Sequence, residues 1–166
     1  MGLSSNILWH QTTLDGLKGI LNEQGFFYSY SLESILSRES KNNLNVAFPM
    51  VSLCDLPFSE LNDYIKKYGG YLIGMKRTWG KSNGLAPVWY CDSESTILNA
   101  IIDRYNQIEV NIKNGKNFTI SREIFLYTLS HIKNYEGQLI AHDFNKYRFY
   151  DEREFRSVPR YKELKK

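Results

Sequence analysis

At 166 residues, with 42% hydrophobic and 23% charged side chains, the chain is long enough to bury about two-thirds of its unfolded surface and too apolar to be disordered. No apolar run approaches the roughly 18 residues that span a bilayer, and the start, MGLSSNILWH, lacks the basic and apolar blocks of a signal peptide. The net charge of +3 is unevenly spread, because Lys146 to Lys166 holds eight basic residues against four acidic ones.

These bounds lead to an expectation of one cytoplasmic domain over residues 1–166. Cys54 and Cys91 have no metal-ligand spacing and imply no disulfide framework. Gly2 begins a loose myristoylation pattern, but Asn6 stands where Ser or Thr is wanted. The basic C-terminal segment suits the phosphates of a nucleic acid or dinucleotide, or equally a solvated tail.

In chain order, Asn6 to Gln11 reads as a short buried strand around Ile7, Leu8 and Trp9. Thr12 or Thr13 can cap a helix with an apolar stripe of Leu14, Leu17, Ile20 and Leu21, and Gly25 would end it in a left-handed cap. Residues 26 to 44 read as a polar loop with room for one helical turn, whose Phe26, Phe27, Tyr28 and Tyr30 could cover a ligand. Val46 to Cys54 is the next strand, with Pro49 pointing to an edge or bulge. A helix carrying Leu61, Tyr64, Ile65 and Tyr68 follows, then a strand from Tyr71 to Lys76. TWGKSNG reads as a loop, Pro87 to Cys91 as a strand, and Glu94 to Asn106 and Ser121 to about Lys133 as helices. Short strands fill the remainder. The fold class is α+β, with a central mixed or antiparallel sheet flanked by helices.

The segment Tyr147 to Pro159, YRFYDEREFRSVP, sets carboxylates beside guanidinium groups among aromatics. Read as a strand, it points Glu152, Glu154 and Arg156 to one face, and Arg153, Phe155 and Ser157 to the other. One reading is a surface strand of self-compensating ion pairs, each worth little. The other is a cleft-facing carboxylate able to stabilise an oxocarbenium-like cation. His10, at a strand end, is either satisfied by local hydrogen bonds or points into a cleft. His131 and His142 have no spacing relation to it, so no metal is expected. Ser52, Cys54 and Asp55 lack the glycine-flanked elbow of a hydrolase, and no Walker or dinucleotide-binding glycine pattern occurs.

LWHQT with LKGIL, then FPMVSLCDLP, IKKYGGYLIGM, a Trp-Gly and YRFYDEREFRSVP together resemble the AbiGi family of abortive-infection proteins. The likeness runs over roughly residues 8 to 159, with Phe155 where the family has Trp. It implies the antitoxin side of a two-gene phage-defence system. A strand ending in His-x-Thr and a late strand bearing Glu-Phe are also similar to ADP-ribosyltransferases of the DarT type. That second likeness implies a transferase-like fold and NAD as substrate. It makes His10 a holder of the nicotinamide ribose or the adenosine side, and Glu154 the partner of the ribose 2′-hydroxyl. Thr12 and Ser52 would add contacts, Tyr71 or an aromatic of the 26–30 segment would stack on nicotinamide, and Arg153 or Arg156 would meet the pyrophosphate. Strand parity favours Arg156.

Two functions stay open. One is transfer of ADP-ribose from NAD to nucleic acid or protein. The other is a non-catalytic antitoxin binding a partner toxin or nucleic acid through a degenerate transferase-like fold. Convergence of His10 and Glu154 on one pocket favours transfer, whereas a Glu154 locked in a buried salt bridge with Arg156 opposes it.

Overall fold

The computed structural model describes residues 6–37, 43–62, 65, 70–117, 119–139 and 144–159. The apolar run after Asn6 forms β1 (Ile7–Thr12), and Thr13 caps α1 (Leu14–Glu23) by accepting the Gly16 N–H on its hydroxyl. Gln24 takes the left-handed position (φ 53°), one residue before the glycine expected there. The segment read as a loop is largely β2 (Ser29–Leu36), hairpinned against the first eight residues of β3 (Asn43–Cys54). After β3, helical backbone occurs at residues 61–62 and 65, and β4 (Tyr71–Lys76) follows. Tyr64, Tyr68 and His142 lie outside the described residues.

TWGKSNG is not a loop at its start: α2 (Arg77–Ser82) covers it. Gly80 serves packing there, since a Cβ would stand 2.9 Å from Leu8 Cδ1. The expected 87–91 strand splits into β5 (Ala86–Pro87) and β6 (Trp89–Cys91). Ser95 caps α3 (Thr96–Lys113), which runs longer than the expected Asn106 end. α4 (Thr119–Leu129) stops short of Lys133, which falls instead in β7 (Ile132–Asn134). β8 (Gly137–Leu139), β9 (Phe144–Tyr147) and β10 (Glu154–Ser157) complete the order.

The main sheet runs β4-β1-β3-β10-β5, with β2 added to β3, and all of its pairs are antiparallel. β6 and β7 form a separate parallel pair, and β8 and β9 an antiparallel one. β3 is shared: residues 43–50 pair with β2, and Val51 to Cys54 pair with β10. Pro49 sits opposite Tyr30, just before that change of partner. A missing N–H is tolerated where one ladder gives way to another.

One core cluster joins Ile35, Phe48 and Met50 of the hairpin to Leu98, Ile102 and Leu129 of α3 and α4. A second, around Leu8, Val51, Leu53 and Leu85, lies across the main sheet, with Phe26, Trp79 and Phe155 against it. Each fully buried Leu or Ile contributes about 1.5–3 kcal/mol of transfer free energy. The result is one small mixed α/β domain with a curled antiparallel sheet. Among the described residues no helix is long and apolar enough to cross a membrane.

The charged segment departs from a continuous strand. Residues 149–152 form a 3-10 turn, Arg153 is left-handed (φ 44°), and only Glu154 onward is extended. Glu154 and Arg156 therefore share a strand face as parity required, while Glu152 reaches the same neighbourhood from the turn.

Candidate functional site

α1 stands over the face of β1, β2, β3 and β10 and leaves a cavity of about 630 Å³, within the range of small-molecule sites. His10, Thr12, Ser52 and Glu154 all line it, together with Phe26 and Phe27. Tyr71 pairs with Thr12 at the sheet margin, is partly exposed, and does not contribute to the wall. The aromatics brought to the cavity are Phe26 and Phe27, and Tyr30 turns outward. Arg156 is also off the wall, fully buried beneath Glu154. Arg153 pairs with Glu60 at 3.4 Å, on the other side of the strand.

His10 Nδ1–H donates to the Ser52 carbonyl at 2.9 Å, which fixes Nδ1 as the protonated nitrogen and leaves Nε2 the acceptor in the neutral ring. Phe26 stands edge-on, with ring centroids 5.0 Å apart. Burial lowers the His10 pKa, against a smaller opposing effect of the Ser52 bond, so the ring is neutral near neutral pH. Helix α1 meets β1 closely at Gly16, where a Cβ would stand 2.2 Å from Thr12 Oγ1. Gly19, one turn on, also lines the cavity, and a Cβ there would meet nothing within 4 Å.

The floor is a buried ionic network. Arg156 Nε donates to Glu154 Oε1 at 2.7 Å, and Nη2 donates to Glu154 Oε2 at 2.9 Å and to Glu33 Oε1 at 2.7 Å. Its Nη1 donates to the Ser130 carbonyl at 2.8 Å. Lys133 Nζ bridges Glu152 Oε2 at 2.9 Å and Glu154 Oε2 at 3.0 Å. It also stands 4.9 Å from the Phe149 ring centroid. The Glu154 N–H donates to the Tyr90 hydroxyl at 2.8 Å, and the Ser52 side chain adds a hydrogen bond to the Glu154 carboxylate.

These neighbours decide the protonation states. Burial pushes Glu154 up, but Lys133 and Arg156 together outweigh it and hold the carboxyl well below its ordinary range. For Lys133, burial is likewise outweighed, by Glu154, Glu152 and Glu33, and the ammonium is held above its ordinary value. Glu33 differs, because burial outweighs Arg156 and its pKa is raised. With Glu33 ionised beside Arg156, three carboxylates against two cations leave the floor with a formal charge of −1, which suits a ligand presenting donor hydrogens or positive charge rather than a bare phosphate.

Glu33 and Lys133 were not singled out from the sequence. Glu33 lay in an apparent loop, because the inward face of β2 reads Ser31, Glu33, Ile35 and breaks apolar alternation. Lys133 lay at an apparent helix end. Among the described residues, no cluster of His, Cys, Asp or Glu has the makings of a metal site.

The family model described as "Putative abortive phage resistance protein AbiGi, antitoxin" matches residues 24–166. A search of curated proteins and a search of solved structures each gave no match. The matched span begins after β1 and α1, so His10 and Thr12 precede it, while Glu33, Ser52, Lys133, Glu152, Glu154 and Arg156 all fall inside. With most of its length covered by that match, the chain belongs to the AbiGi family of abortive phage resistance proteins.

Proposed function

We propose that this protein is the antitoxin-side component of a cytoplasmic phage-defence pair, and that its cavity binds a ribose-bearing ligand, NAD in the first instance, without transferring it. The observation that carries the reading is the state of Glu154. Both of its oxygens already accept charged hydrogen bonds, and two cations offset its charge. Such a carboxylate is a poor proton acceptor and has little uncompensated charge to lend to an oxocarbenium-like centre. Binding is supported by the cavity's size, by the Phe26 and Phe27 rings on its wall, and by the hydroxyls of Thr12, Ser29, Ser31 and Ser52 along it. The fold would then be a transferase-like scaffold kept for recognition, and the family description adds a cognate toxin as protein partner.

A second reading, transfer of ADP-ribose to nucleic acid or protein, draws on one specific observation: His10 and Glu154 face the same cavity. Titration calorimetry with NAD, paired with chromatographic detection of released nicotinamide, separates the two. Binding without release, abolished by Gly19→Leu because that side chain would fill the cavity, supports the binding reading. Release, or labelling of an acceptor, that is lost in Glu154→Gln would establish transfer instead. No NAD binding at millimolar concentration would remove both. Co-purification with the product of the adjacent gene tests the toxin partner, and its absence would count against the antitoxin role.

A further inference from the structure

The three carboxylates of the cavity floor are not equivalent. Glu154 has both oxygens engaged. Glu152 is held by Lys133 and by the Tyr147 side chain. Glu33 accepts one hydrogen bond, from Arg156 on Oε1, and its Oε2 accepts none from the described residues. Yet Glu33 is buried, 8% exposed, and lies in the cavity wall. That oxygen is not sealed in the core: it opens on the cavity, where a bound donor can reach it. β2 aims it inward, because Ser31, Glu33 and Ile35 share the face turned from solvent, whereas Tyr30 and Leu32 on the opposite face are 74% and 71% exposed.

We infer that Glu33 is the specificity-determining carboxylate of this cavity, contacting the ligand through Oε2 and selecting the end that carries positive charge. The inference rests on the reading that the cavity takes NAD, and it sharpens that reading. The oxidised nicotinamide ring is cationic and the reduced ring is neutral, so the two forms of one dinucleotide differ at the group Glu33 would meet. Phe26 and Phe27 favour the cationic ring only where they present a face to it, a contribution that substitution of Glu33 leaves in place. The larger discrimination comes from the floor, where Glu33, Glu152 and Glu154 outnumber Lys133 and Arg156 by one charge.

The test is calorimetric titration of the full chain with NAD+ and NADH at pH 7.5. A net unit charge about 6 Å from the ring, at an effective dielectric near 20 and further screened at the open mouth, corresponds to a preference for NAD+ on the order of tenfold. In Glu33→Gln the ratio is expected to fall severalfold, with folding checked by circular dichroism. Ser31→Lys is the second variant. It leaves the Glu33–Arg156 pair intact, places a cation on the same inward face, and is expected to abolish or invert the preference even if Glu33→Gln does not fold. Equal binding of both forms by the wild type would overturn the role of Glu33 while leaving the NAD reading standing. An undiminished preference in Ser31→Lys, or in folded Glu33→Gln, would overturn it as well. Binding of neither form by the wild type would remove both.

Discussion

Replacing Arg156 by methionine tests whether the ionic floor holds the domain together. The substitution keeps most of the volume and removes three charged hydrogen bonds of 2.7–2.9 Å to Glu154 and Glu33, plus one of 2.8 Å to the Ser130 carbonyl. Arg156 is fully buried, so no water replaces it, and the two carboxylates lose their shared counter-ion. Breaking a buried ion pair from one side costs about 3–5 kcal/mol, a large share of the roughly 5–15 kcal/mol that such domains possess. At about 2–4 °C per kcal/mol for this chain length, the melting temperature should fall by about 6–20 °C at pH 7.

The pH dependence carries a second, independent expectation. In the wild type, Glu154 has a depressed pKa and stabilises the fold above its unfolded value of about 4.3, so that contribution is nearly constant from pH 7 to 5. Without Arg156, the pKa of Glu33, already raised by burial, rises further, and that of Glu154 moves up from its depressed value. A group with a raised folded pKa destabilises the ionised fold and gives stability back as pH falls toward that pKa. The gap between variant and wild type should therefore narrow on acidification from pH 7 to 5. Urea denaturation at both values reads it directly. The triple variant Glu33→Gln, Glu154→Gln, Arg156→Met, which removes the charges together, should recover much of the loss. A single-variant loss under about 1 kcal/mol, or a gap unchanged with pH, would refute this account of the floor.

Three further outcomes are expected. Gly19→Ala should stabilise the protein by about 0.8–1 kcal/mol in thermal melts, since helix propensity improves and a Cβ there meets nothing; destabilisation would mean that α1 sits closer to the sheet. Gly80→Ala should cost about 1–3 kcal/mol, because the new methyl would press on Leu8 Cδ1, and a neutral result would show that Leu8 yields easily. The His10 imidazole should titrate below 6.5 by NMR, in line with its burial; its folded pKa is depressed, so the stability it contributes is present above 6.5 and lost as pH falls through the folded value. A midpoint at or above 6.5 would contradict a buried, neutral ring.

Legibility followed the physical signal in each segment. β1, the α1 stripe and its Thr13 cap were readable because apolar period and cap chemistry agree there. β2 was not, since its inward face carries Ser31 and Glu33 to a polar cavity and its outward face exposes Tyr30 and Leu32. Hydrophobic alternation is reversed at the very residues that build the site. α2 was hidden by Gly80, which serves close packing rather than a turn. Parity paired Glu154 with Arg156, but it could not foresee the left-handed Arg153 that breaks the strand before them. Nor could it assign Glu154 a free carboxylate or an engaged one, because Lys133 arrives from a strand 21 residues earlier. Tyr71 and Arg156 likewise could be placed on strands without any indication that one sits at the sheet margin and the other below the cavity floor.

Arg156 joins Glu33, 123 residues upstream, to Glu154 beside it and to the turn at Ser130. The ribosome delivers that guanidinium 123 residues after the Glu33 carboxylate. Until then the emerging β2–β3 hairpin holds a carboxylate aimed at a core that does not yet contain its counter-ion. The early chain therefore has an electrostatic reason not to settle, and synthesis of β10 supplies the charge that lets the hairpin close onto the sheet. Arg156 thus ties commitment of the β2–β3 hairpin to the arrival of β10.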